Sequence, residues 1–229
     1  MRFSDIHSHF VYGIDDGAQT LENMEAMLDA AAADSVSRLI ATPHMTPGIH
    51  QFNEERFWRH LSEARAYCQT RGYALALYSG AEILYTPAME HYMSSHRLPT
   101  LADSQCVLIE FSPTIPYAEI VTAVELLERN GYTPILAHVE RYQALRGMNI
   151  YHLKEQSSAL YQVNCNTIIE SDGLLKDLHV RRWLQDELID YVASDSHNCR
   201  TRRTHMRKAY TILVKRYGKQ YADRLVGMI

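Results

Sequence analysis

The sequence predicts an α/β fold of parallel βα units, and three observations point there. Short apolar and β-branched runs alternate with longer stretches of helical periodicity, without repeats, low-complexity segments or a long linker. Almost every short run is followed within three residues by a histidine or a carboxylate. The length of 229 residues, 46% hydrophobic and 22% charged, suits a single domain over 1–229 with a substantial core. Periodicity alone does not separate an open sheet from a closed barrel.

The first strand is expected at Phe3–Ile6 and leads into His7-Ser-His9, with Asp15 and Asp16 downstream. A helix near 20–34 follows. Thr20 is placed to cap it, with only part of a capping box at Asn23, and Glu22 and Glu25 face the positive end of the helix dipole. The second strand, Arg38–Ala41, ends in Thr-Pro-His44, and a helix is expected over 53–70. The third, Ala74–Ser79, is followed by Gly-Ala-Glu82 and a short helix over 87–95. The fourth, Cys106–Ile109, ends in Glu110. The helix over 117–130 stops at Gly131, with Pro134 just beyond. The fifth strand, Thr133–Ala137, delivers His138, whereas Tyr161–Asn164 is followed by neither histidine nor carboxylate. A helix over 177–187, the strand Tyr191–Ala193 with Asp195-Ser-His197 after it, and a helix over 201–217 complete the series.

The formal net charge of −4 argues against general binding to nucleic acid or to anionic membranes. No apolar stretch approaches the ~20 residues that span a bilayer. The start, MRFSDIHSH, does not read as a signal peptide. Cys68, Cys106, Cys165 and Cys199 are widely spaced and form no CxxC pair, so a reducing, cytoplasmic compartment is expected. Of the twelve histidines, His7, His9, His44, His138 and His197 follow strand-like runs. The others, His60 among them, read as solvated or capping side chains.

Strand-end placement has a chemical consequence. In a closed parallel barrel these ends form one rim. Residues i and i+2 on a strand share a face, so both imidazoles of His7-Ser-His9 can reach one cation, and Asp195-Ser-His197 repeats the spacing. One such pair would carry little weight. Recurrence around the rim carries more, because imidazoles and carboxylates packed together without a cation are costly to bury. A multinuclear metal site follows.

The segments DIHSH with its trailing IDDG, ATPH, GAEI, LIEF, ILAHVERY and ASDSH together resemble the polymerase and histidinol phosphatase (PHP) superfamily. More narrowly, they resemble the CpsB/CapC-like bacterial manganese-dependent tyrosine-protein phosphatases of capsule and exopolysaccharide loci. The resemblance spans essentially the whole chain and implies a distorted (β/α)7 TIM-like barrel with three divalent ions, manganese foremost, with iron or zinc as alternatives. It implies that His7, His9, Glu82 and Asp195 hold one ion, and that Glu82 bridges to a second held with Glu110 and His138. Asp16, His44 and His197 would hold the third, Asp16 being preferred to Asp15 because it directly precedes Gly17. Arg141 and Arg202 match the phosphate-gripping positions, with Arg200 and Arg203 as rivals of Arg202. The partner implied is a phosphotyrosine protein, the tail of a bacterial tyrosine autokinase.

Four ligand carboxylates against three divalent ions leave the cluster near +2, suited to a phosphoryl dianion, and such a cluster can supply a nucleophile at neutral pH. A tyrosinate leaving group, with a conjugate pKa near 10, has modest need of an acid. A cysteine phosphatase would need C-x5-R, and the positions six past each cysteine hold Ala74, Ser112, Ser171 and His205. The alternatives are a PHP-type small-molecule phosphomonoesterase, an amidohydrolase-type metallohydrolase or a non-enzymatic metal-binding module. The amidohydrolase reading is weakened because the five lysines avoid the strand ends. Phe10, Tyr12, Met45 and Ile49, close to the ligands in sequence, are expected to wall a phenyl ring.

Overall fold

A computed structural model describes residues 2–171 and 178–227. The strands are β1 (Phe3–Ser8), β2 (Val36–Ala41), β3 (His44–Met45), β4 (Ala76–Ser79), β5 (Glu82–Leu84), β6 (Cys106–Glu110), β7 (Thr133–Leu136), β8 (Leu160–Asn164) and β9 (Tyr191–Ala193). The helices are α1 (Leu21–Ala33), α2 (Glu54–Thr70), α3 (Ala88–Met93), α4 (Tyr117–Arg129), α5 (Asn149–Gln156), α6 (Cys165–Ser171), α7 (Leu178–Gln185), α8 (Met206–Tyr217) and α9 (Lys219–Leu225). The predicted helix over 177–187 begins one residue outside the described set.

All strand pairs are parallel, in two ladders of order β1-β2-β4 and β3-β5-β6-β7-β8-β9. The ladders are stages of one distorted barrel, because two of the seven expected strands resume beyond their expected ends, as β3 and β5. Pro43 lies between β2 and β3, and its carbonyl still accepts from Glu82 N–H at 3.0 Å. Gly80 lies between β4 and β5, where a Cβ would stand 2.6 Å from Leu101 Cδ2. Thus Glu82 opens a strand instead of following one, and His44 lies within β3. Around the seam, Asp195 N–H donates to His7 O and His9 N–H to Ser196 O, both at 2.9 Å.

The helices pack on the outside through one large apolar cluster that includes Met24, Leu28, Phe57, Leu61, Ile120, Leu127 and Trp183. Thr20 Oγ1 accepts from Asn23 N–H at α1, as the partial capping box suggests, and Asn53 caps α2. A smaller cluster is drawn mainly from alternate strand residues, with Ile6, Ile40, Cys106, Leu108, Ile135 and Ala193 at its centre. The alternation continues upward. Along β6 the inward series is Cys106, Leu108, Glu110; along β9 and beyond it is Tyr191, Ala193, Asp195. Apolar residues therefore fill the floor and ligand-type residues crown it.

Cys68, Cys106 and Cys165 are buried and Cys199 half-buried, all as free thiols. Among the described residues no helix is long and apolar enough to cross a membrane. The helix predicted over 201–217 starts only at Met206. Asn198 Oδ1 first collects the N–H groups of Arg200, Thr201 and Arg202 into a turn.

Candidate metal centre

The nine predicted ligand residues converge at the C-terminal rim around Glu82, which is 1% exposed. Glu82 Oε2 lies 3.1 Å from His7 Nε2, 3.3 Å from His9 Nε2 and 3.1 Å from His44 Nδ1, while Oε1 lies 2.8 Å from His138 Nε2. Three groupings could each hold a cation: His7, His9, Glu82 and Asp195; His44, Glu82 and Glu110; and His9, Asp16, His44 and His197. The first coincides with a set named from sequence. The second takes in Glu110, whose carboxylate also stands 3.6 Å from His138 Nε2.

Neighbours fix which nitrogen of several rings faces the cluster. His7 Nδ1 lies 3.1 Å from Gln162 Oε1, His9 Nδ1 2.7 Å from Asp15 Oδ2, and His197 Nδ1 3.0 Å from the Asp195 carbonyl. Each contact places the proton on Nδ1 and leaves the Nε2 lone pair directed inward, the usual arrangement behind a metal-bound histidine. Those three Nε2 atoms are buried without a hydrogen-bond partner, amid carboxylate oxygens. Imidazole and carboxylate donors without a thiolate fit manganese, iron or zinc.

The charge balance says the same. Burial pulls the His7 imidazole down, but Glu82 and Asp195 outweigh it and raise it to about 9. Burial likewise opposes His44, yet Glu110 and Glu82 lift it to about 9. Glu82 is held well below the carboxylate range despite burial, chiefly by the charge of His7 and the hydrogen bond from His138. His197 moves the other way, to about 4, through burial and the neighbouring His9. The cluster demands positive charge.

Asp15 and Asp16 divide the work. Asp15 is nearly buried and accepts from His9 Nδ1–H, Gly17 N–H and His44 N–H, so it orients two of the predicted ligand residues. The Asp16 carboxylate is 64% exposed, with Oδ1 3.3 Å from both His44 Nε2 and His197 Nε2. The loop turns back so closely that a Cβ on Gly17 would lie 2.0 Å from His9 O. Two of the predicted ligand residues adopt left-handed backbone, His138 at φ 34° and Asp195 at φ 52°, a strain that clusters at functional sites.

Both predicted arginines reach the rim. Arg141 Nη2 donates to Asp195 Oδ2 at 2.7 Å, and Arg202 Nη2 to Asp195 Oδ1 at 2.9 Å. Of the rivals, Arg203 is exposed, and Arg200 lines a cavity of about 600 Å3 beside Asp16, Gln19, Asn23 and His197.

Three expectations are corrected. Phe10 is fully buried and Met45 nearly so, so neither walls a pocket. Tyr12 stacks on His60 at 3.7 Å and donates its hydroxyl to Glu63 on α2. His60 is no solvated side chain: it is 7% exposed and its Nδ1–H donates to Tyr12 O. Its place on the Phe57–Leu61–Ala64–Cys68 stripe of α2 was the available signal. Gln162 and Asn164, absent from the sequence-based candidates, occupy the inward register of β8 above Leu160.

Comparison with known proteins adds a second line. The family described as capsular polysaccharide synthesis, CpsB/CapC, matches residues 3–228. Tyrosine-protein phosphatase CpsB of Streptococcus agalactiae serotype V is 32% identical over 96% of this chain and 93% of its own. A solved structure from work on YwqE of Bacillus subtilis and CpsB of Streptococcus pneumoniae, described as metal-dependent tyrosine phosphatases, superposes with a TM-score of 0.85. It is 28% identical and covers 95% of this chain and 89% of its own. A Lactococcus lactis histidinol phosphate phosphatase shares the fold, with a TM-score of 0.59 at 14% identity over 96% of this chain and 92% of its own.

Proposed function

The chain belongs to the CpsB/CapC family of capsular polysaccharide synthesis, and from that premise we propose a metal-dependent protein-tyrosine phosphatase. The observation that carries this reading is the convergence of His7, His9, His44, His138, His197, Asp16, Glu110 and Asp195 on Glu82, with Arg141 and Arg202 at the open side. His7, His9, Glu82 and Asp195 would hold the first ion, Glu82, Glu110 and His138 the second, and Asp16, His44 and His197 the third. When bound, divalent ions would supply Lewis-acid charge and a nucleophile at neutral pH.

The remaining chemistry belongs to the chain itself. The partly exposed guanidinium groups of Arg141 and Arg202 can turn from Asp195 toward the oxygens of an incoming phosphoryl group, for which their forked donors are matched. Charge developing on those oxygens strengthens the same hydrogen bonds. The family match over 3–228 supports treating 1–229 as one catalytic unit. Manganese as the native ion, the autokinase tail as substrate and the cytoplasm as compartment are parts of the same proposal.

The test is hydrolysis of matched phosphotyrosine and phosphoserine peptides, with manganese and with excess chelator. Turnover of the tyrosine peptide that chelator abolishes is the expected result. Turnover unaffected by chelator, or a strong preference for histidinol phosphate, would refute it.

A further inference from the structure

β8 supplies none of the nine ligand residues, yet two of its side chains hold the centre from behind. Gln162 is fully buried and Asn164 is 6% exposed. Their orientation follows from one backbone group. His138 N–H can only donate, so the Gln162 atom 2.9 Å away is the oxygen. That same oxygen lies 3.1 Å from His7 Nδ1, which must therefore carry the proton. The Gln162 amide nitrogen then donates to Asn164 Oδ1 at 2.8 Å. This turns Asn164 Nδ2 toward Asp195 Oδ2, also at 2.8 Å and shared with Arg141. The Asn164 backbone N–H, in turn, donates to Glu140 Oε1 at 3.0 Å, in the turn carrying His138 and Arg141.

The anchored residues are the informative ones. His138 and Asp195 are the two ligand residues with left-handed backbone, and each is secured from this strand. Gln162 takes the N–H of the strained His138, and Asn164 aims the carboxylate of the strained Asp195.

We infer that Gln162 and Asn164 are positioning residues of the metal centre, a buried amide relay that sets the tautomer of His7, the turn at His138 and the aim of Asp195. The inference rests on the metal-centre reading above. It assigns to β8 a role in cation affinity beyond holding the fold.

The test titrates metal-stripped protein with manganese against a chromophoric chelator, recording circular dichroism and unfolding temperature for every variant. Gln162→Met keeps the side-chain volume but removes both acceptor contacts, and Asn164→Ala frees Asp195. Each is expected to fold and to bind manganese about 10–100-fold more weakly, the usual effect of losing an outer-shell partner. Gln162→Glu keeps both acceptor contacts but loses the donor to Asn164 Oδ1, so it should recover only part of the loss. Should Gln162→Met fail to fold, Asn164→Ala decides by itself. Folded variants with lower unfolding temperatures but manganese affinity within about threefold of the parent would overturn the inference. A parent that bound no manganese would overturn the metal-centre reading instead, so the two failures are distinguishable.

Discussion

Asp15→Asn separates a residue that orients ligands from one that binds a cation. The Asp15 carboxylate receives three donors: Gly17 N–H on one oxygen, and His9 Nδ1–H and His44 N–H on the other. An amide has one oxygen, so at least one donor loses its acceptor whichever way the side chain turns. If the NH2 faces His9, the ring must move its proton to Nε2, the nitrogen directed at the cluster. Losing a partner of this kind typically weakens metal binding about 10–100-fold, or about 1.4–2.7 kcal/mol. The orphaned N–H adds about 1–3 kcal/mol of destabilisation. Asp16→Asn should do the reverse. Its exposed carboxylate contributes less than about 0.5 kcal/mol to folding, but its loss should remove about one ion per chain from the His44–His197 group. Elemental analysis, chelator competition and thermal melts on both variants check this. If Asp15→Asn lost an ion while Asp16→Asn kept the full complement and the parent affinity, the assignment would be reversed.

Glu82→Ala removes the carboxylate shared by four histidines and should lose both metal and turnover, whereas Arg141→Ala should keep its metal and raise KM; elemental analysis and kinetics on the pair would contradict this if both matched the parent. In metal-stripped protein His7 stands at about 9 against an ordinary 6.5, so its contribution to stability is complete below pH 6.5 and lost as pH rises through 9. His197, lowered to about 4, contributes above pH 6.5 and loses that contribution as pH falls through 4. Unfolding temperature should therefore peak near neutrality, and a stripped protein still gaining stability from pH 7 to 9.5 would refute the balance described. Gly17→Ala should displace His9 and weaken manganese binding, because the loop cannot hold a Cβ against His9 O; unchanged chelator competition would contradict that reading.

The convergence of the nine candidate residues was legible because their type and their place after apolar runs coincide in one chain. His7-Ser-His9 and Asp195-Ser-His197 repeat one spacing, and Glu110 and His138 directly follow predicted strands. The expected strand ends at Ala41 and Ser79 match those of β2 and β4, but the resumption of pairing beyond Pro43 and Gly80 was not legible, since it rests on contacts remote in sequence. Helices α5 and α6 are short, and α6 starts directly where β8 ends, so no boundary residue announced it. Phe10 was misplaced because proximity in sequence to a ligand says nothing about which way a loop side chain turns. Gln162 and Asn164 were missed because amides, unlike imidazoles and carboxylates, do not advertise metal chemistry; only the inward register of β8 exposes them.

The seam between β1 and β9 carries a consequence for biosynthesis. Ser8 and Ser196 meet there through their hydroxyls at 2.8 Å across 188 positions of sequence, and His7 and Asp195 meet beside them. A nascent chain can fold its early βα units while the ribosome is still at work, but His7 and His9 cannot meet Asp195 until β9 has emerged. Such long-range closure is among the slower events in folding. Loading of that position is thus a late step, open to competition among whichever cations the cell offers at that moment. The metal found in a purified sample will report on the growth medium as well as on the intrinsic preference of the site.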